Sequence, residues 1–413
     1  MSNITGIVAE YNPFHKGHAY QIQRARELTN ADYIIVVMSG DFVQRGGPAL
    51  FDKYLRTRMA LLGGADLVLE LPVSFSCSSA ESFAFGAVSI LDGLGCVDVL
   101  CFGSESEDME SLRRCAVELT DESASYQEAL RNQLKKGLSF PAARKEALLG
   151  LAEFSFPFGL LDSPNNILAL EYMKGLIRLG SSIKPVAVKR EGSGYHDTRI
   201  QTPFASASAI RKILKEGHAK QGPVSEEISR LLRHTMPADA AMLTIQRLER
   251  EQPIWEDDFS LLLRYQLMLN TPDSLCQFAD MSPELSRRIY ANLNKFTDFS
   301  GFVLLLKTKE ITYTRICRAL IHVLLNLKKE EFSPSYARIL GFRKESTGLL
   351  REIKECSSIC LLTKAADYTR QLESSAQELF RQDLFASNLY TSVRAQKNGL
   401  AFVNDIQKPP IIL

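Results

Sequence analysis

The sequence predicts an α/β protein: a parallel sheet wrapped by helices in the first half, followed by a mainly α-helical second half. Three observations predict it. Short apolar runs alternate with amphipathic stretches through the first 217 residues, the pattern of strand and helix repeats that wind a parallel sheet. After Gly217 glycine becomes scarce, leucine-rich helical periodicity dominates, and no convincing period-two alternation remains. Length and composition agree, since 413 residues with 45% hydrophobic and 23% charged side chains suit a globular protein of two or three domains. Disordered, collagen-like and coiled-coil chains are excluded.

The elements follow in order. Strands are expected at Ile4 to Ala9, Tyr33 to Met38, Asp66 to Leu71, Val97 to Phe102 and Pro185 to Val188, with helices at His18 to Leu28, Asp52 to Leu62 and Ser79 to Leu91. Their apolar content predicts a Rossmann-like sheet, parallel and covered on both faces. Residues Asp108 to Phe158 read as helices inserted before the last strand, and Ser163-Pro164-Asn165-Asn166 as a helix cap. A first domain over 1–217 and a second over 218–413 follow, with the break softened by Gly217 and Gly222-Pro223.

Charge and cysteine usage narrow the function. Forty-nine Lys and Arg balance 48 Asp and Glu, so any nucleic-acid contact must come from a local patch. The N-terminus lacks a basic stretch followed by a long apolar run, and no apolar run is long enough to cross a bilayer, so a cytoplasmic protein without a membrane partner is expected. Eight dispersed cysteines without CxxC knuckles read as reduced structural thiols, and no metal site is expected.

The most informative stretch is GIVAEYNPFHKGHAY, Gly6 to Tyr20, a strand that breaks at Asn12-Pro13 and enters a helix near His18. A strand end, a tight turn and the exposed N–H groups of a helix start suit a phosphate. His15 and His18 can face one pocket there and stabilise charge on an α-phosphate and its leaving pyrophosphate. Metal ligation is the rival chemistry, but no HExxH helix and no third ligand is evident, and no Walker A loop is present. In ASASAIR, Ser206 and Ser208 open a helix whose N–H groups can receive β- and γ-phosphate oxygens while Arg211 supplies positive charge. The loop GDFVQRGG, on the same sheet edge, offers Gln44 and Arg45 to a cytosine edge or its phosphate. From Arg287 to Lys354, 14 Lys or Arg face 6 Asp or Glu, interleaved with Tyr313, Tyr336 and Phe342, which is the composition of an RNA-tracking surface. Lys307, Lys309, Arg315, Arg318, Arg343 and Lys344 are its candidate contacts.

These blocks carry a resemblance. HKGH and SASAIR are similar to the two signatures of the HxGH nucleotidyltransferase superfamily, with Ser208 standing where a threonine is usual. More closely, GIVAEYNPFHKGHAY, VMSGDFVQRGGPALFDK, GADLVLELP, CFGSE, SPNNILALEY, GYHD and ASASAIRK resemble, in that order, the bacterial tRNA(Met) cytidine acetate ligase family, and LLKTKEITYTRICRAL and YARILGFRK extend the likeness more loosely. The resemblance implies activation of acetate by ATP, with Mg²⁺ as counter-ion, to acetyl-adenylate. It further implies acetyl transfer to N4 of the wobble cytidine of elongator tRNA(Met), giving N4-acetylcytidine. It implies an ATP site formed by Ile7, Val8, Ala9, Glu10, Tyr11, Asn12, Pro13, Phe14, His15, Lys16, Gly17, His18, Ala19 and Tyr20, with Gly103, Asn165 and Arg190, closed by Ser206, Ser208 and Arg211. Gly103 also reads as a turn glycine, Asn165 as a helix N-cap and His196 as a loop residue without a catalytic role. The rival function is a small-molecule adenylyltransferase of the nicotinate or pantetheine type, against which the long basic helical half argues.

Overall fold

The computed structural model describes residues 2–105, 108–138, 140–151, 161, 163–189, 205–217, 223–330 and 333–413. Five parallel strands form the centre of one sheet: β1 (Ile4–Ala9), β2 (Tyr33–Ser39), β5 (Leu67–Leu71), β6 (Val99–Ser104) and β7 (Lys184–Lys189). Between β2 and β5 the chain adds a small antiparallel hairpin, β3 (Phe42–Val43) and β4 (Gly47–Pro48). The central order is β5-β2-β1-β6-β7, so the chain leaves β1 toward one side for β2 and later returns to its other side for β6. The crevice beyond the C-terminal ends of β1 and β6 is therefore a topological switch point, where open α/β sheets bind ligands.

Helices α1 (Lys16–Thr29), α2 (Lys53–Leu62) and α3 (Ala80–Gly93) cover this sheet as expected. Helices α4 (Met109–Asp121), α5 (Ala124–Lys135) and α6 (Phe140–Leu149) occupy the insertion, and α7 (Pro164–Leu179) leads into β7. Helix α8 (Ala207–Gly217) ends the first half. Beyond it α9 (Glu226–Thr235), α10 (Ala238–Arg250), α11 (Phe299–Leu306), α12 (Tyr313–Leu324) and α13 (Ser374–Asn398) make the second half largely helical.

Two expectations are corrected here. The second half is not free of strands, because β8 (Tyr336–Phe342), β9 (Cys360–Leu362) and β10 (Ile411–Ile412) complete the sheet of the first half. Nor is the sheet parallel throughout, since β8 runs antiparallel to β5. YARILGF shows no alternation because both of its faces are covered, and its only charged residue, Arg338, is buried in an ion network. Arg338 and Lys53 share the carboxylates of Glu70 and Asp405, and Lys53 also donates to the Ser387 hydroxyl at 2.8 Å. Lys53 is 0% exposed, so these four charges depend on one another for the solvation they lost. The network ties the C-terminal segment to the start of α2, across the 217/218 division.

Candidate active site

The turn after β1 is shaped by its own backbone groups. Tyr11 takes φ +49°, a left-handed conformation uncommon for a bulky residue, and Asn12-Pro13 is cis. Asn12 Oδ1 accepts the Leu50 N–H at 2.8 Å. Arg56, 0% exposed, donates to the carbonyls of Glu10 (2.7 Å), Ser39 (3.0 Å), Phe51 (2.9 Å) and Gly40. One guanidinium thus satisfies carbonyls just beyond β1 and at the end of β2, together with one just before α2.

His15 is the N-cap of α1. Its Nδ1 accepts the Gly17 N–H at 3.1 Å, and His18 Nδ1 accepts the His15 N–H at 3.2 Å. This is a capping box built from two imidazoles. With both Nδ1 atoms accepting, a neutral ring at either position carries its proton on Nε2. The rings stack with centroids 3.7 Å apart, and Tyr11 packs edge-on against His18 and Phe14. A Cβ on Gly17 would lie 2.9 Å from His15 Cε1, so only glycine lets the ring fold over its own helix start.

The structure brings the second signature onto the first. Ser206 Oγ accepts the Ala209 N–H at 3.2 Å and caps α8, while Arg211 donates to the Asn12 carbonyl at 2.5 Å and to Ser208 Oγ at 3.2 Å. Burial lowers the Arg211 pKa, and the carboxylates of Glu10 and Glu256 oppose that shift. On the other side of β1, Gly103 is the penultimate residue of β6, followed by Ser104 and Glu105. Asn166, buried, accepts from Ser104 Oγ at 2.8 Å and the Glu105 N–H at 3.0 Å, and Asn165 donates to Glu105 Oε1 at 2.7 Å. The N-cap of α7 is Ser163, which leaves the Asn165 side chain for the sheet edge. Arg190 and His196 lie outside the described residues.

The β3–β4 hairpin reaches the same edge. Glu10 Oε1 accepts the Gln44 N–H at 2.8 Å, which places Gln44 and Arg45 beside the β1 turn. Gly46, at φ +82°, presses on α12 so closely that a Cβ would lie 2.3 Å from the Arg318 nitrogen. The helical half therefore meets the strand ends directly. Around the start of α12, Lys307, Thr308, Lys309, Thr312, Tyr313 and Thr314 line a shallow hollow, and Arg315 is exposed beside it.

Of the other basic candidates, Arg318 is tied up in an ion pair, and Arg343 and Lys344 lie at the opposite edge. Arg318 Nε holds Asp280 at 2.7 Å and is mostly buried. Arg343 and Lys344 follow β8 and bond through their backbone N–H groups to Asp66 and Leu413, at the N-terminal edge of the parallel strands and opposite the His15 turn. Sequence reasoning missed Arg56 and Glu256, because neither sits in a motif and each depends on contacts distant in sequence. Among the described residues no group of three or more His, Cys, Asp or Glu side chains could hold a metal, and no helix is long and apolar enough to cross a membrane.

Comparison with known proteins places this geometry. Residues 2–401 match the family described as HIGH Nucleotidyl Transferase. The tRNA(Met) cytidine acetate ligase of Thermoanaerobacter sp. (strain X514) is 40% identical over 413 residues, covering 98% of this chain and 99% of that protein. The enzyme of the same name from Clostridium perfringens (strain SM101 / Type A) is 39% identical over 404 residues, covering 94% and 95%. Thermotoga maritima TmcAL bound with alpha-thio ATP superposes with a TM-score of 0.89 at 31% identity, covering 100% of this chain and 99% of that one. Its apo form gives 0.91 at 32%, with the same coverage.

Proposed function

The chain belongs to the HIGH nucleotidyl transferase family and, within it, to the tRNA(Met) cytidine acetate ligases, and from this premise we propose how its residues carry out that reaction. An acetate oxygen attacks the α-phosphorus of ATP, pyrophosphate leaves, and acetyl-adenylate forms. N4 of the wobble cytidine of elongator tRNA(Met) then attacks the acetyl carbonyl and AMP leaves. A tRNA substrate assigns the reaction to the cytoplasm.

The observation that carries the site assignment is the Arg211 contact to the Asn12 carbonyl, which closes the second signature onto the first at the switch point between β1 and β6. His15 and His18 give their Nε2–H groups to α-phosphate and pyrophosphate oxygens, stabilisation that grows as charge develops there. Arg211, with the Ser206 and Ser208 hydroxyls and the start of α8, receives the β- and γ-phosphates. Ser208 supplies the hydroxyl that the family's usual threonine would. Residues Ile7 to Tyr20, with Gly103 and Asn165, border the nucleotide, and Arg190 is carried over from the resemblance alone. Mg²⁺ enters with ATP as the counter-ion of its polyphosphate.

RNA approaches the active-site edge from the helical half, 218–413, through Lys307, Lys309 and Arg315, and meets Gln44 and Arg45 of the β3–β4 hairpin there. Radiolabelled acetate incubated with the protein, ATP, Mg²⁺ and total bacterial tRNA tests the reading. Label in N4-acetylcytidine only when ATP and tRNA are both present supports it; label on a small-molecule adenylate, with the RNA unlabelled, returns the chain to the adenylyltransferase alternative.

A further inference from the structure

Acetyl transfer to cytidine requires a group that the two histidines do not supply. The N4 lone pair is conjugated with the pyrimidine ring, so N4 is a poor nucleophile and must lose a proton as it bonds to the acetyl carbon. His15 and His18 are committed to the phosphates as donors, and their Nδ1 atoms are occupied by backbone N–H groups. A base is needed on the RNA side of the site.

Glu256 stands there. It opens a short 3-10 turn with Asp257 and Asp258, and the three acids have different fates. Asp257 accepts from the Ser300 N–H and hydroxyl at 2.8 and 2.7 Å, and Asp258 from the Trp255 N–H at 2.7 Å and Lys397 at 2.8 Å. The half-buried Glu256 carboxylate makes no hydrogen bond or ion pair among the described residues. It lies against the hairpin: a Cβ on Gly47 would meet Glu256 Oε1 at 3.2 Å. Its charge acts on Arg211, which holds the His15 turn, and on Tyr313 and Cys317 of α12. Tyr313, 38% exposed, carries its ring into the lysine- and threonine-lined hollow.

We propose that Glu256 receives the amino group of the wobble cytosine and takes the proton that N4 loses, with the Tyr313 ring as the surface on which the base lies. The inference rests on the ligase reading. N4 attacks the acetyl carbon and the C–N bond forms; the bond from that carbon to the adenylate phosphate oxygen breaks and AMP leaves with the electron pair. The N4 proton passes to the Glu256 carboxylate and then to solvent. A carboxylate is also the acceptor that cytosine's amino group fits and uracil's O4 repels, so the same side chain selects the base.

Glu256→Gln tests this, because it keeps the shape and removes the base. Two reactions are measured on wild type and variant: exchange of labelled pyrophosphate into ATP with acetate present, and single-turnover transfer of labelled acetate to tRNA. Exchange should stay within about twofold, which also verifies the fold, while transfer falls by about 10²-fold or more. Transfer within about threefold of wild type, or loss of exchange in parallel with transfer, overturns the assignment. A wild-type protein that exchanges pyrophosphate but never acetylates tRNA would overturn the ligase reading instead.

Discussion

His15 and His18 stack at 3.7 Å between centroids, and each ring accepts a backbone N–H of the same helical turn through Nδ1. The pair is therefore structural on one edge and chemical on the other. His18→Ala removes one cap bond and one phosphate donor, so acetate-dependent pyrophosphate exchange should fall by about 10²–10³-fold with a small change in Tm. His15→Ala also removes the N-cap, costing about 1 kcal/mol of stability in addition. Wild-type exchange in His18→Ala would remove it from the catalytic machinery.

Arg56 organises the strand ends through their backbone carbonyls. Its guanidinium serves the carbonyls of Glu10, Ser39, Gly40 and Phe51 in the core, and lysine has one ammonium where the site needs a fork. Arg56→Lys should leave carbonyls unsatisfied and cost on the order of 2–4 kcal/mol in a denaturant titration. A loss below about 0.5 kcal/mol, the scatter of surface substitutions, would show that water replaces the missing donors.

How much of this was legible in the sequence depended on range. The β1 turn, α1 and the hydroxyl-rich start of α8 are local, since residues within one turn of each other supply the caps, and HKGH and SASAIR announce them directly. The docking of Arg211 on Asn12 spans 199 residues and has no local signal; the resemblance implies only that SASAIR closes over the polyphosphate. Strand β8 was hidden because a strand covered on both faces loses its alternation, and because Arg338 reads as a surface cation until Glu70 and Asp405 are seen around it. Glu256 was hidden for the opposite reason: in the run Glu256-Asp257-Asp258 only the fold reveals which carboxylate lacks a partner.

Asp383 makes stability depend on pH. Burial raises its carboxyl to about 7, with Glu70 adding to the shift, while the Tyr336 hydroxyl and the Val73 N–H bond to its oxygens. Unfolded, the group titrates near 3.9, a value of about the ordinary aspartate range. Between these pH values the folded chain holds a proton that the unfolded chain has released, so this group's contribution to stability falls as pH rises from about 4 to about 7 and is level above. Asp383→Asn keeps an acceptor for Val73 and cannot titrate. Relative to wild type, its denaturant midpoint should rise between pH 5 and pH 8; parallel profiles would show that Asp383 does not titrate there.

Arg315 and Arg318 lie one turn apart on α12 and separate RNA binding from stability. Arg315 is exposed beside the Tyr313 hollow, whereas Arg318 is held by Asp280 at 2.7 Å. Arg315→Glu should weaken tRNA binding, reduce the slope of log K against log salt by about 1, and leave acetyl-adenylate formation and Tm unchanged. Arg318→Glu sets two carboxylates against each other in a mostly buried position, so it should lower Tm first and affect RNA only through the fold. Filter binding at several salt concentrations, paired with thermal melts, distinguishes the two. An unchanged salt slope in Arg315→Glu would move the RNA path off the start of α12, and with it the platform assigned to Tyr313.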